Sequence, residues 1–434
     1  MKALNNTVIV VGGGGREAAL ARQLAQSPRV GQVIVAPGNA GVLGFAKTAP
    51  VAVTDLAGQV RLARDLQADL VVVAPDDPLA LGLTDRLLEA GIMAFGPRQA
   101  AARLESSKSF AKTVMREAGI PTARSVICDN LAAARDYAQT CDLPVVVKAD
   151  GLALGKGVFI CQTRAEALEA VTSLMDLHAF GQAGNTLLFE ECLNGPELTV
   201  LLFTDGVHYA LMPPSRDHKR AQDGDRGPNT GGMGVVVPGA RLSEPEWQLI
   251  RQQIIEPTLK LMQDRRTPFC GVLYVGLMLT QQGPKVIEYN ARFGDPECQT
   301  VLPLLQTDLL DILEACTAGT LDEIELSWKA AASCCVVMAS GGYPGSYQKG
   351  REISGLEAAE RLSGVTVYQA GTALDYQGRL ITAGGRVLDV VATAPDLADA
   401  IRQAYKAVDA IHFDQAYYRR DIGGSDNPLL KEAR

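Results

Sequence analysis

Two periods alternate along the first hundred residues. The unbroken apolar runs TVIVV (7–11), VIVAP (33–37) and LVVVAP (70–75) read as buried strands. REAALARQLAQ (16–26) and TDRLLEAG (84–91) carry helical spacing instead, the second ending at glycine. This alternation predicts a parallel sheet covered on both faces, with ligands beyond the carboxyl ends of its strands. From about Leu104 the texture changes. ESSKSFAKTVMREAGIPT reads as one helix closed by Gly119 and Pro121. PVVVKADGLALGKGVFIC reads as strand, glycine-rich loop and strand, and NTLLFEECLNGPELTVLLFTDG as two strands around a turn. GVLYVGLMLTQQGPKVIEYNARFGDPE is a hairpin turning near Gly283-Pro284. After about Leu326, AASCCVVMASGGYPG, ITAGGRVLDVVATA and the helix DLADAIRQAYKAVDAI predict a small α+β domain. One stretch fits neither period. DHKRAQDGDRGPNTGGMG (217–234) mixes charge and glycine, so it is neither a buried strand nor an amphipathic helix.

Composition narrows the function classes. A chain of 434 residues exceeds one ordinary core, which predicts two to four domains. The net charge of −8 argues against bulk nucleic-acid binding, which needs a basic face. No apolar run approaches the ~18 residues of a membrane span, and the N-terminus lacks a signal-peptide pattern. The nine cysteines show no CxxC and no zinc spacing, so they read as reduced core thiols of a cytosolic protein. Adjacent Cys334 and Cys335 point to opposite faces if they lie on a strand. The histidines suggest no nucleophile pairing: His178, His208 and His412 read as structural, and His218 lies in the charged loop.

Four stretches carry candidate chemistry. GGGGRE (12–17) follows a strand and opens a helix, where backbone amides cradle a phosphate. Gly13, Gly15 and Ala18 satisfy the dinucleotide fingerprint, but Ala36-Pro37 stands where that fold needs an acid for the ribose, so a phosphate or phosphoribosyl group fits better than NAD. PGNAG (37–41) and APDDPL (74–79) would face the same crevice. In VVVKADGLALGKGV (145–158), Lys148 ends an apolar strand and needs an anionic partner, and Lys156 sits in a loop able to close over one. It is no Walker A motif, because the GK[ST] ending is absent. In FEECLNGPE (189–197), Glu190 and the backbone near Cys192 suit an adenine edge, and Glu197 suits a ribose diol. In VIEYNARFGDPE (286–297), Glu288, Asn290 and Arg292 are spaced by two and share one face of a strand. A carboxylate and an amide oxygen suit magnesium bridging phosphates, and Arg292 can grip a carboxylate.

Lysine–glycine loop, acidic hinge and metal strand together resemble the ATP-grasp ligases. DHKR…DGDRGPNTGGMG, ARFGDPECQ, KADGLALGKGV, PGNAG and ESSKSFAK are similar to the phosphoribosylamine–glycine ligase (glycinamide ribonucleotide synthetase) family of purine biosynthesis, a resemblance that runs to YYRRDIGG near the end. It implies a Rossmann-like N-terminal domain (1–103), an ATP-grasp body (104–326) with a mobile lid (about 122–192) and a small α+β C-terminal domain (327–434). It implies ligation of glycine to 5-phosphoribosylamine through glycyl phosphate, with ATP as co-substrate and Mg2+ or Mn2+. By resemblance, Lys108, Lys148 and Lys156 contact ATP phosphates, and Glu190, Glu191 and Glu197 hold the adenosine. Glu288 and Asn290 bind the metal. Asp217, Lys219, Arg292, Gly294 and Asp295 line the glycine and reaction centre. Gly15, Arg16, Glu17 and Asn39 belong to the phosphoribosylamine side. The 217–234 loop is expected to close the reaction centre between body and N-terminal domain, with Lys219 and Arg220 as cations and Asp217, Asp223 and Asp225 balancing them or orienting the ammonium of glycine. Ala18 and Asp76 depart from the family, which has histidine and glutamate there. The partners implied are small molecules, with no nucleic acid and no membrane, for a cytoplasmic monomer or weak homodimer. Rival readings are an ATP-grasp carboxylase that uses bicarbonate and a non-catalytic nucleotide-binding relative.

Overall fold

A computed structural model describes residues 5–153 and 157–424 of the chain; Lys156 lies outside them. The N-terminal run forms β1 (Asn6–Gly12), α1 (Gly15–Ala25), β2 (Val30–Pro37), β3 (Lys47–Thr48), β4 (Leu70–Val73) and β5 (Ala94–Phe95). The strands are parallel in the order β3-β2-β1-β4-β5. Val8 and Val10 enter one core cluster, Ile9 and Val11 another, which is why β1 is apolar at every position. The chain leaves β1 towards β2 and returns on the other side as β4. The crevice at that switch point holds the glycine loop.

The helix expected over 105–119 is two helices, Gln99–Ser106 and Lys108–Glu117. Ser107 between them is extended, and its Oγ accepts from Phe110 N at 3.2 Å. Asp150 Oδ1 accepts from Ser109 N at 2.6 Å. A serine that offers an N-cap breaks a helix its neighbours would continue.

Next come β6 (Ser125–Cys128), β7 (Val145–Ala149), β8 (Val158–Cys161) and β9 (Leu187–Glu191), an antiparallel sheet in the order β6-β9-β7-β8. The body follows with β10 (Glu197–Asp205), β11 (Tyr209–Leu211), β12 (Arg216–Asp217), β13 (Arg220–Gln222), β14 (Arg226–Asn229), β15 (Gly234–Val237), β16 (Cys270–Thr280) and β17 (Gly283–Asn290). Four of these form the sheet β11-β10-β16-β17. The turn after β9 therefore carries the chain from one sheet into another rather than closing a hairpin.

The charged stretch 217–234 is more ordered than its composition suggests. β13 and β14 pair as a small hairpin, while β12 pairs with β15 at its base. β15 then pairs with β18 (Ala332–Ser340). With β19 (Val365–Gln369), the hairpin β20 (Thr372–Leu374)–β21 (Leu380–Thr382), β22 (Arg386–Ala394) and β23 (Ala416–Tyr417), this completes the C-terminal part. Its main sheet runs β12-β15-β18-β22-β19, so two strands of the central segment belong to it. Cys334 and Cys335 on β18 enter different core clusters, as their adjacency requires. No described helix is long and apolar enough to cross a membrane.

Candidate active site

Lys148 on β7 and Glu190 on β9 lie on neighbouring strands, with Lys148 Nζ 2.9 Å from Glu190 Oε2 and 3.2 Å from the Ile287 carbonyl. Lys112, one turn after Lys108, sits 3.4 Å from Glu190 Oε1 and donates to Thr122 Oγ1 (2.7 Å) and the Ala123 carbonyl (3.1 Å). Burial pushes the Lys112 ammonium down to about 8, against the pull of Glu190. Lys108 Nζ donates to the Gly151 carbonyl at 3.0 Å and is also lowered by burial, with Glu288 opposing. Glu191 is turned to the surface pairs Arg124 (2.9 Å) and Lys285 (3.6 Å). Glu197 is exposed at the start of β10.

On β17, Glu288 and Asn290 share a face. The strand ends at Asn290, so Arg292 lies beyond it and not in line with them. Arg292 Nη2 reaches back to buried Glu105 at 2.7 Å. Lys219 Nζ donates to Glu288 Oε1 at 2.7 Å. Burial works against the Glu288 charge, but Lys219, then Lys148 and Lys108, hold this carboxyl down at about 2. A carboxylate ionised at every working pH, two residues from an amide oxygen, is a fitting pair of ligands for a hard divalent cation.

Beside it lie the half-buried carboxyl of Asp217 and the buried one of Glu297. Burial, then Glu297, pushes Asp217 well up, and Glu297 is raised by burial as well. Asp217 Oδ1 is buried without a hydrogen-bond partner among the described residues. Gly232, at φ +116°, passes so close that a Cβ there would stand 2.9 Å from Asp217 Oδ1 and 2.6 Å from Pro296 Cδ. Gly294 leaves room for Glu297 in the same way, since a Cβ would meet that carboxyl carbon at 2.6 Å. Asp295 pairs with Arg386 of β22 at 3.3 Å, and Arg386 Nη1 also donates to the Asp295 carbonyl at 2.7 Å.

The glycine loop meets this centre from the other side. Glu17 Oε2 accepts from Gly14 N at 2.6 Å, and Arg16 Nε lies 2.7 Å from Glu17 Oε1. Arg16 Nη1 donates to the Phe293 carbonyl at 3.1 Å. Asn39 Nδ2 donates to the carbonyls of Gly13 (3.0 Å) and Gln369 (2.7 Å). Gly15 stands against Asp389 and Gln299; a Cβ there would meet Gln299 Nε2 at 2.7 Å. Ala18 is buried in the core behind the loop. Asp76 opens a short helix within electrostatic reach of Arg16 and Glu105.

The 217–234 stretch is fastened to the C-terminal segment, not to the N-terminal domain. Arg419 Nη1 pairs with Asp225 at 2.8 Å, Arg420 N donates to Asp223 at 2.8 Å, and Gly224 N donates to Asp421 at 2.8 Å. Asp223 and Asp225 are thus committed to the tail and do not face Lys219, while Arg220 donates to the Gly227 carbonyl. His218, between Asp217 and Lys219, accepts from Gly423 N at Nε2 (3.2 Å), so its Nδ1 carries the proton donated to the Gly234 carbonyl (3.1 Å). His208 pairs with Asp205 at 3.0 Å.

Residues 6–105, 106–298 and 333–425 match the N, ATP-grasp (A) and C domains of phosphoribosylglycinamide synthetase. The chain belongs to the phosphoribosylglycinamide synthetase family. It is 47% identical over 421 residues to a phosphoribosylamine–glycine ligase of Nostoc sp., covering 96% of this chain and 98% of that one. It is 48% identical over 431 residues to the trifunctional purine biosynthetic protein adenosine-3 of Gallus gallus, of whose length it spans 43%. A crystal structure of phosphoribosylamine–glycine ligase from Thermotoga maritima superposes with a TM-score of 0.82 at 31% identity, covering 96% of this chain and 100% of that one. A biotin carboxylase from Campylobacter jejuni shares the fold at 17% identity and a TM-score of 0.72.

Within this family frame, sequence reasoning passed over Lys112, Glu105, Glu297, Gln299, Arg386 and Asp389. Some signals were present. Lys112 follows Lys108 by four residues and so faces the same way on a helix, and Asp389 is a lone acid in the apolar run RVLDVVATA. Nothing local marks Glu105 as the partner of Arg292.

Proposed function

We propose that this chain joins glycine to 5-phosphoribosylamine at the cost of ATP, releasing ADP and phosphate. The observation that carries the reading is the Asp217–Glu297 carboxyl pair beside Arg292 and the Lys219–Glu288 pair. A buried carboxyl oxygen without a partner among the described residues, beside a second carboxyl, is a seat for a small ammonium group, and glycine brings one. Arg292, whose Nη2 pairs with Glu105 while its buried Nε has no partner among the described residues, would take the glycine carboxylate. Lys108 and Lys148 supply the fixed positive charge that phosphoryl transfer from ATP onto that carboxylate requires. Glu288 and Asn290 would hold a magnesium or manganese ion, which when bound neutralises phosphate oxygens.

Transfer of the γ-phosphoryl group gives glycyl phosphate and ADP. The amine nitrogen of phosphoribosylamine then attacks the carbonyl carbon, phosphate leaves, and the nitrogen loses one proton. The glycine loop, with Gly15, Arg16, Glu17 and Asn39 at the crevice facing Asp295, is the side from which that amine enters. The acyl phosphate needs shelter from water, and the β6–β9 sheet is the element suited to cover it.

The test is ADP release with magnesium-ATP, glycine and freshly generated phosphoribosylamine, against omission of each. Dependence on all three is expected, and Asp217→Asn should raise the glycine KM on the order of 10- to 100-fold. Release that ignores glycine but responds to bicarbonate would replace this reading with a carboxylase.

A further inference from the structure

The reaction assigned above does not use Asp389. It lies in the middle of β22, on the C-terminal part of the chain, with no exposed surface. Its Oδ2 accepts from Gln299 Nε2 at 2.9 Å, and the same Nε2 donates to Asp295 Oδ1 at 2.7 Å. One amide nitrogen thus holds two carboxyl groups from two parts of the chain. Gln299 is fully buried, and neither its Oε1 nor Asp389 Oδ1 has a hydrogen-bond partner among the described residues. A buried acid in a strand is an expense that a purely structural position would fill with an apolar side chain. The third contact is Gly15, the first residue of α1, which lies against Asp389 closely enough to exclude a Cβ. Burial and then Asp295 raise Asp389 to about 7, whereas Arg386 and Arg16 help hold Asp295 ionised against its own burial.

Two carboxyls this close, one fully buried and the other half-buried, do not both ionise readily. With Asp389 as the member that keeps its proton, Asp295 is left as the charged one. Asp295 also stands beside the glycine loop: a Cβ on Gly14 would be 3.6 Å from Asp295 Oδ2.

We propose that Asp389, acting through Gln299, is a positioning residue for Asp295. It fixes the Gln299 amide, which takes one oxygen of Asp295 and leaves the other, paired with Arg386 Nη2 at 3.3 Å, facing the glycine loop, where the amine of phosphoribosylamine sheds its proton. The proposal rests on the functional reading above. It adds that the C-terminal domain contributes to the amine half of the reaction and not to the ATP half.

The experiment is steady-state kinetics on the full chain for Asp389→Ala, Asp389→Asn, Gln299→Leu and the double variant Asp389→Ala/Gln299→Leu. Thermal unfolding serves as the folding control. Asp389→Ala and Gln299→Leu should each lower kcat/KM for phosphoribosylamine on the order of 10- to 100-fold, the size of effect a misplaced group produces. The KM values for ATP and glycine should stay within about threefold, since those contacts are untouched. The double variant should be no worse than the single ones, because both break one bridge. Asp389→Asn, which keeps an acceptor oxygen for Gln299, should restore most of the activity. Additive losses, parallel rises in all three KM values or an unaffected Asp389→Ala would overturn the proposal. If Asp389→Ala does not fold, Gln299→Leu decides by the same criteria. Wild-type ADP release that ignores phosphoribosylamine would overturn the functional reading and this proposal with it. Wild-type release that needs the amine, with Gln299→Leu unchanged, would overturn this proposal alone.

Discussion

Lys219 Nζ lies 2.7 Å from Glu288 Oε1, so a cation from the charged loop already occupies one oxygen of the carboxylate best suited to bind a metal. The pair joins the 217–234 stretch to β17. It means that the metal-side acid and the loop are set in one electrostatic unit. Replacing Lys219 with methionine removes a fixed positive charge near the transferring phosphoryl group. We expect kcat to fall on the order of 10²–10³-fold, with the magnesium concentration for half-maximal rate unchanged or lower. Glu288→Gln should instead raise that concentration. Magnesium titrations of both variants separate the two roles, and equal behaviour would contradict the assignment.

Lys112 tests the adenine side. Its ammonium and that of Lys148 share the buried carboxylate of Glu190. Lys112→Met leaves Glu190 with one cation, and a stability loss of about 1–3 kcal/mol is expected, the range for an unsatisfied buried group. Lys112→Met/Glu190→Gln should lose less than the sum of the single variants, because Glu190→Gln alone strands two buried ammonium groups and the double variant only that of Lys148. Urea denaturation gives the four corners of this cycle.

His218 predicts a pH dependence. Burial, then Arg419 and Arg216, lowers its imidazole from 6.5 to about 4. Folding therefore selects the neutral ring. The unfolded chain binds the proton more readily, so the contribution of this residue is complete above pH 6.5 and is lost as pH falls from 6.5 through 4. At most about 3 kcal/mol is at stake. The urea midpoint of the wild type should fall across this window more steeply than that of His218→Asn, whose side chain does not titrate. Parallel curves would show that the ring is not the source.

Gly232→Ala should combine two costs. The backbone at φ +116° disfavours any side chain, and the added methyl would press on Asp217 and Pro296. A loss of about 1–3 kcal/mol in stability is expected, together with a higher glycine KM. Calorimetry and glycine titration check the two effects. A stable variant with normal glycine binding would show that Asp217 does not seat the substrate.

Much of the fold was legible because its signals are local. β1 is apolar at successive positions since both of its faces are covered, and the hairpin β16–β17 announces its own turn. The need of Lys148 for an anion could be argued from one buried charge, and Glu190 meets it. The break at Ser107 was missed because helical periodicity runs through it, and the competing N-cap is stabilised by Asp150 from a distant loop. The docking of the 217–234 stretch was misread for a similar reason. Charge and glycine say that a loop is not core, but they do not say which surface supplies Arg419 or the Gly423 amide.

By itself, the sequence determined the class of the strongly periodic elements, the set of groups able to handle phosphate, metal and amino acid, and the family resemblance. Periodicity and residue chemistry act over a few neighbours and survive without coordinates. Only the tertiary structure decided which charges face one another. Lys219 meets Glu288 from 69 residues away, Arg292 meets Glu105, and Gln299 bridges Asp295 to Asp389 across 90 residues. In a buried, low-dielectric site the ionisation of each carboxyl depends on partners a few ångströms away, and chain folding sets those distances.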